Sequence, residues 1–258
     1  MTDINRLQAY LRHTANDIYE AVPVPPFTAF FHPHDKFDHF NYAIPDAITD
    51  QNLRESLAEL TTVFKQRDCH PRFEFISEFW PNLAESLQQY GFVEEAKTVL
   101  MTCSPAARKT VPAVANLTLT RLSQTSDLTD YQAVMDVQHE GFNMSKPEPR
   151  PDKAAAEFRD WLGDTVFVLA RLDGEPVCTG SLMPPHNGLA EIAGIATRPE
   201  YRRRGIATKL TESLLDVAFE QGTDLALLTA ADERAGRVYQ RLGFQPVATA
   251  LAYRLDND

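Results

Sequence analysis

Three cysteines are all the chain holds, and Cys69, Cys103 and Cys178 lie far apart with none in a CxxC pair. That spacing argues against a disulfide framework and against a structural zinc site. Each is expected as a buried or half-buried free thiol. Long apolar runs are also missing: none approaches the roughly 20 residues that a membrane helix needs. The opening stretch, MTDINRLQAYLRHTANDIYE, has an amphipathic pattern without an apolar h-region or a cleavage pattern. The expectation is a cytoplasmic protein with no membrane partner. Basic charge is short too, with Lys+Arg 25 against Asp+Glu 36 and a formal net charge of -11. A general nucleic-acid binder needs a basic face, so the balance argues against that class.

Against this deficit one stretch stands out, 198-RPEYRRRGIATKL-210, where Arg202, Arg203 and Arg204 run into a glycine and then a helical pattern. A solvated charge run needs no glycine. A site that grips a small anion does. The histidine-rich stretch 32-HPHDKFDH-39 carries His32, His34 and His39, with His70 further on. It lacks the spacing of a known metal site and sits beside prolines, so it reads as a solvated polar loop and no metal is expected.

The second half of the chain is the more regular. LTLTRL at 117–122 alternates as a strand does, and a helix follows with Asp127 placed to cap it. The stretch 143–153 holds three prolines and reads as a loop before a short helix ending near Gly163. Two strands then meet at Asp173-Gly174, a hairpin turn signal. LAEIAGIAT at 189–197 is another apolar strand. After the arginines come a helix stopped by Gly222, a strand in DLALLTA, a helix in ERAGRVYQRLGF and a last strand. The order is β-α-α-β-β-β-α-β-α-β.

The first half opens with a helix and a proline cluster at 23–27, then suggests a strand at 40–44, a helix over 53–67, a strand in RFEFIS, a helix in NLAESLQQYGF and a strand in EEAKTVLMTC. The stretch 83–102 runs helix, Gly91-Phe92, strand, and 235–254 runs helix, Gly243-Phe244, strand. That weak likeness reads as a degenerate internal repeat. The linker is expected at 104–116, which sets a smaller domain over 1–112 and a larger one over 113–258.

The pattern Arg202-x-x-Gly205-x-Ala207 stands between a strand and a helix. A helix start offers unpaired N–H groups and the positive end of its dipole, where a diphosphate can sit. Gly205 permits a positive φ and leaves no Cβ toward a ligand, and Ala207 is small. Arginines add charge and forked hydrogen bonds.

With the turn Ala196-Thr197-Arg198-Pro199-Glu200-Tyr201 ahead of it, this motif resembles the acetyl-CoA-binding motif of the GNAT superfamily of N-acetyltransferases. A second patch agrees: Asp232-x-x-Ala235-x-x-x-Tyr239-x-x-x-Gly243-Phe244 is similar to the family's N-x-x-A-x-x-x-Y-x-x-x-G-F, with Asp in place of Asn. The resemblance covers about 117–255. It implies a mixed α/β GNAT fold, accompanied by a smaller, degenerate GNAT-like domain in the first half. That half lacks the arginine-glycine motif, and Leu87 stands where Tyr239 would.

The resemblance further implies acetyl-CoA as cosubstrate, a small-molecule or peptide amine as acceptor, and direct attack with no acyl-enzyme. Arg202, Arg203, Arg204, Gly205, Ile206 and Ala207 would take the phosphates, with Asp232, Ala235 and Tyr239 also toward the cofactor. Ile195, Ala196 and Thr197 would offer backbone to the pantetheine arm, and Gly194 would carry the family's strand bulge. Tyr239 would protonate the departing thiolate, or else only pack its ring. Glu191, a carboxylate in an apolar strand, would be the base, or else a rim glutamate with a water as base. His139, Glu140 and His186 are candidates for the acceptor side. A non-catalytic acyl-CoA-binding module, with the first domain as its partner surface, is the alternative. A homodimer is left open.

Overall fold

The computed structural model describes residues 3–33, 36–46, 52–144, 152–161 and 163–256. The elements are α1 (Asp3–Ile18), β1 (Glu20–Val24), β2 (Phe27–Phe31), β3 (Tyr42–Pro45), α2 (Leu53–Gln66), β4 (Arg72–Ile76), α3 (Leu83–Gln89) and β5 (Phe92–Cys103). They continue as β6 (Leu117–Leu122), α4 (Leu128–Gly141), α5 (Asp152–Trp161), β7 (Val166–Leu172), β8 (Glu175–Leu182) and β9 (Leu189–Thr197). The last are α6 (Ile206–Glu220), β10 (Leu225–Ala230), α7 (Glu233–Gln240) and β11 (Gln245–Leu255). The order expected for the second half is the order found, in a mixed α/β fold.

The chain packs as two units that interleave in sequence. One comprises Met1–Leu100, Thr229–Glu233 and Pro246–Asp258, and the other Met101–Leu228 and Arg234–Gln245. Almost all of the last strand therefore packs with the first hundred residues. In that unit the strands run β1-β2-β3-β4-β11-β5, with β11 antiparallel to β4 from Ala250↔Ile76 to Arg254↔Arg72. Leu57, Leu60 and Phe64 of α2 and Leu83 and Leu87 of α3 bury their apolar stripes against Phe73, Phe75, Leu251 and Tyr253. Arg72 is buried and holds the carboxylates of Glu74 and Glu95 at 2.6 Å each.

The proline cluster at 23–27 proves to be a hairpin, not an irregular stretch. β1 and β2 pair from Glu20↔Phe31 to Val24↔Phe27 around Pro25-Pro26. Pro23 is tolerated inside β1 because β1 is the edge strand, where a missing N–H breaks no ladder.

In the other unit the strands run β10-β9-β8-β7-β6, with β6 to β9 antiparallel neighbours and β10 parallel to β9. The β7–β8 turn has Asp173 at φ 52 and Gly174 at φ 90, both left-handed as a two-residue hairpin requires. Asp127 does cap α4 by position, but the bond there is from Asp130 N to its backbone oxygen, and its carboxylate makes none. Leu122, Tyr131, Val134, Ala155, Phe167 and Leu169 form the core beneath α4 and α5.

The stretch 104–116 contains no helix or strand, yet it is fastened down. Lys109 N donates to Leu242 O at 2.9 Å, Val111 N donates to the buried Glu212 carboxylate at 3.0 Å, and Arg108 pairs with Asp216. Gly243, at φ 101, lies so close to it that an added Cβ would stand 2.0 Å from Ala107 O.

Gly243→Ala is therefore expected to lower stability by about 3 kcal/mol or more, since strain and overlap add. Gly222→Ala, with φ 81 but nothing within 4 Å, should lose only about 1 kcal/mol. Urea unfolding of the two variants beside wild type measures the difference, and equal losses would contradict this packing.

Candidate active site

Strand β9 decides the site. It pairs with β10 only through Leu225↔Leu189, Ala226↔Ala190 and Leu227↔Glu191, and then runs on to Thr197 without a further β10 register pair. On its other side it stays with β8, but not evenly: Thr179 faces Ala196 while Ser181 faces Ala193. One extra residue is thus inserted in β9. Gly194 sits in that bulge at φ 62, as the expected strand bulge requires. A Cβ there would stand 3.0 Å from Gln138 Nε2, the end of a flexible side chain, so the positive φ is the stricter demand for glycine.

The faces follow from the alternation. A Cβ at Gly180 would strike Leu210 and Leu214, so that face lies under α6, and Cys178 shares it. Ser181 and its pair Ala193 face α4, and Glu191, two residues before Ala193, lies on the same side. Glu191 is half-buried, and its backbone oxygen accepts from Met183 N at 2.8 Å. Ile195, Ala196 and Thr197 make up the bulged end of the strand.

The chain then makes a 3₁₀ turn at Pro199–Tyr201 and enters α6. Arg203 at φ 65 and Gly205 at φ 78 are both left-handed, which turns the backbone sharply into the helix. The first bond of the ladder runs from Lys209 N to Gly205 O at 3.0 Å. The N–H groups of Ile206, Ala207 and Thr208 lie ahead of that bond, at the positive end of a 15-residue helix. Gly205 itself is exposed, with Val114 the nearest side chain to a Cβ there at 3.7 Å.

The three arginines divide their work, which the sequence did not suggest. Arg202 donates from Nε to Thr197 O at 3.2 Å and from Nη2 to Gly141 O at 2.7 Å. Arg204 donates to Glu200 O at 3.2 Å and stacks over Tyr201, 5.2 Å from its ring centre. Arg203 is exposed and takes no partner among the described residues. As a side chain, it is the one that can turn freely toward an anion.

Tyr239 lies in α7 one turn after Ala235, on the same stripe of the helix. Its ring packs edge-on to Phe244 at 6.1 Å. Burial pushes the phenol up to about 12, with a smaller contribution from Cys178 on the α6 face. The group is therefore a neutral proton donor at every ordinary pH. Asp232 immediately precedes α7 but falls in the segment Thr229–Glu233, which packs with the first unit. Glu140 pairs with Arg198 at 3.1 Å, and His139 is its neighbour at the end of α4. His186 forms an isolated bridge with Leu189 in the loop before β9.

No group of three or more His, Cys, Asp or Glu able to hold a metal occurs among the described residues. His34 lies outside them. His70 is engaged with Asp38 at 3.0 Å, and Lys36 with Asp68 at 2.9 Å. No helix of the described residues is long and apolar enough to cross a membrane.

This arrangement joins a parallel strand pair that parts, a glycine bulge at the parting, and a glycine-led helix start beside it. Comparison with known proteins agrees with it. Residues 133–244 match the profile of the Acetyltransferase (GNAT) family. That match spans the strand bulge, the start of α6 and all of α7. An uncharacterized N-acetyltransferase of Methanocaldococcus jannaschii is 24% identical over 176 residues, 64% of this chain and 76% of that protein. A GCN5-related N-acetyltransferase from Kribbella flavida has TM-score 0.83 at 23% identity, over 100% of this chain and 97% of its own. A tandem GNAT protein from the clavulanic acid biosynthesis pathway has TM-score 0.64 at 13% identity, over 90% of this chain and 79% of its own. These matches support an acetyltransferase enzyme, and proteins of the GNAT fold use acetyl-CoA.

The cysteines stand apart from this chemistry. Burial pushes the Cys178 thiol up to about 12 and Cys103 to about 11, and raises Cys69. A thiol reagent should therefore react with none of the three at an appreciable rate in the folded protein at pH 8, and with all three in denaturant. Rapid labelling of Cys178 in the folded protein, read by mass spectrometry, would contradict its placement.

Proposed function

We propose that the second unit transfers the acetyl group of acetyl-CoA directly to a primary amine of a small molecule or peptide. The observation that carries this reading is the parting of β9 from β10 beside the start of α6. A strand that has lost its neighbour presents backbone groups that need partners, and the amides of a pantetheine arm can supply them as an added strand would. Ile195, Ala196 and Thr197 offer that edge. The N–H groups at 206–208 and the free side chain of Arg203 fit the diphosphate.

The reacting carbonyl would lie at the bulge, where a backbone N–H near Gly194 can take the developing oxyanion charge. Glu191, or a water it holds, would receive the amine proton from the α4 face. Tyr239, whose electrostatic neighbour Cys178 lies on the α6 face, would give its phenolic proton to the departing thiolate. On this reading acid and base would reach the reaction from opposite faces of the sheet. No protein acyl intermediate is needed, since the one nearby thiol, Cys178, is fully buried and strongly protonated.

The sequence of the first unit has no arginine-glycine motif of this kind. We read it as a degenerate relative of the second, on the shared sequence of α3, Gly91, β5 and α7, Gly243, β11.

The test is calorimetric titration with acetyl-CoA beside Gly205→Glu, and turnover of Tyr239→Phe on a panel of amines. Micromolar binding should be lost in Gly205→Glu. Tyr239→Phe should keep affinity and lose about 10²-fold or more in turnover. Because the phenol is raised to about 12, it loses its proton only as pH rises through that value. The pH profile of wild type should thus show no alkaline limb owed to Tyr239 below pH about 10. A limb near pH 9 that vanishes in Tyr239→Phe, or no acetyl-CoA binding by wild type, would overturn the reading.

A further inference from the structure

Resting on that reading, we propose that Arg202 is a positioning residue that clamps the C-terminal end of α4 to the end of β9, and is not a phosphate ligand. The last four carbonyls of a helix have no partner within it. At the end of α4, Gln138 O accepts from Phe142 N at 2.9 Å, His139 O from Met144 N at 2.9 Å, and Glu140 O from Asn143 N at 3.3 Å. That leaves Gly141 O, and Arg202 Nη2 supplies its donor at 2.7 Å. The same guanidinium holds Thr197 O through Nε at 3.2 Å. One planar cation therefore joins two backbone carbonyls from two elements, a use suited to the fixed fork of Arg.

The surroundings are built for this closeness. A Cβ at Gly141 would fall 2.8 Å from Ala196 Cβ and 3.1 Å from Thr197 N, so only glycine lets the helix end approach β9 so nearly. One residue earlier, Glu140 meets Arg198 at 3.1 Å. Two arginines four residues apart thus tie consecutive residues of α4 to the strand end and its turn. The cationic side chains also face the negative end of the α4 dipole. Arg202 belongs to the same turn as Arg203 and Gly205, whose left-handed backbone leads into the helix start. When a ligand fixes that turn, it fixes Arg202, and through it the end of α4 on the Glu191 face. The clamp is the physical link between cofactor binding and the wall on the acceptor side.

The experiment pairs acetyl-CoA affinity with amide hydrogen exchange over residues 138–144, with and without acetyl-CoA. In wild type, acetyl-CoA should slow exchange at these amides. Arg202→Ala should bind acetyl-CoA within about threefold of wild type, exchange about tenfold faster at 138–144, and lose the protection that acetyl-CoA confers. Arg202→Lys should restore part of it, and serves as well if Arg202→Ala fails to fold. Arg203→Ala should do the converse, weakening acetyl-CoA about tenfold with exchange at 138–144 unchanged. A tenfold loss of affinity in Arg202→Ala with unaltered exchange would overturn the proposal, as would equal protection by acetyl-CoA in wild type and variant. Failure of wild type to bind acetyl-CoA would instead sink the functional reading, while the exchange difference without ligand would still report on the clamp.

Discussion

The site depends on one constraint: every backbone N–H and C=O that leaves a ladder must find another partner. β9 abandons β10 after Glu191 and stays with β8 to its end. A regular strand cannot serve two neighbours that diverge. Gly194 resolves this by adding one residue, left-handed at φ 62, which turns the following segment without breaking the pairing to β8. The freed edge leaves backbone groups of β9 without β10 as a partner. Helix α6 begins just beyond it, so the demand for hydrogen bonds and the positive helix end fall at neighbouring places.

Three successive arginines in an acidic chain look like a single anion clamp, and the structure divides them by geometry. Arg203 adopts the left-handed backbone and points its side chain outward, while Arg202 and Arg204 bend back onto carbonyls of their own surroundings. Two of these residues do more than carry charge. They supply donors where a strand end, a turn and a helix end leave carbonyls bare, and such bonds to charged donors are the stronger kind. Arg203 alone of the three has no partner among the described residues.

Much of the fold could be read from the sequence because its punctuation is local. Asp173-Gly174 makes its hairpin, Gly222 ends α6, and Gly91 and Gly243 end their helices, each in the left-handed conformation its place requires. The glycine ahead of α6 was legible for the same reason, whereas the bulge at Gly194 was implied by the family resemblance. What stayed hidden depends on residues distant in sequence. Nothing in the stretch around 23–27 says that it lies at a sheet edge, which is what admits Pro23 to a strand. Nothing near Gly141 announces Ala196 and Thr197, 55 or more residues on, and so the bond from Arg202 to Gly141 O was not foreseen.

The stretch 104–116 has the composition of a linker but takes part in the fold. Lys109 N and Cys103 Sγ both reach Leu242 O, and Ala107 O lies over Gly243. Leu242 and Gly243 follow directly on α7, the helix of Tyr239. Phe244, fully buried, packs its ring against that of Tyr239. The far side of the same stretch is held by Glu212, a buried carboxylate of α6 that accepts from Val111 N and pairs with Lys209. Burying a carboxylate costs several kcal/mol unless its lone pairs are met, so this one marks a place where the position of the chain matters. The irregular segment thereby fixes the exit of α7 relative to α6. Its absence of regular structure is what lets it follow both surfaces, since a helix or strand there would turn its own backbone groups inward and leave Leu242 O and Glu212 unmet.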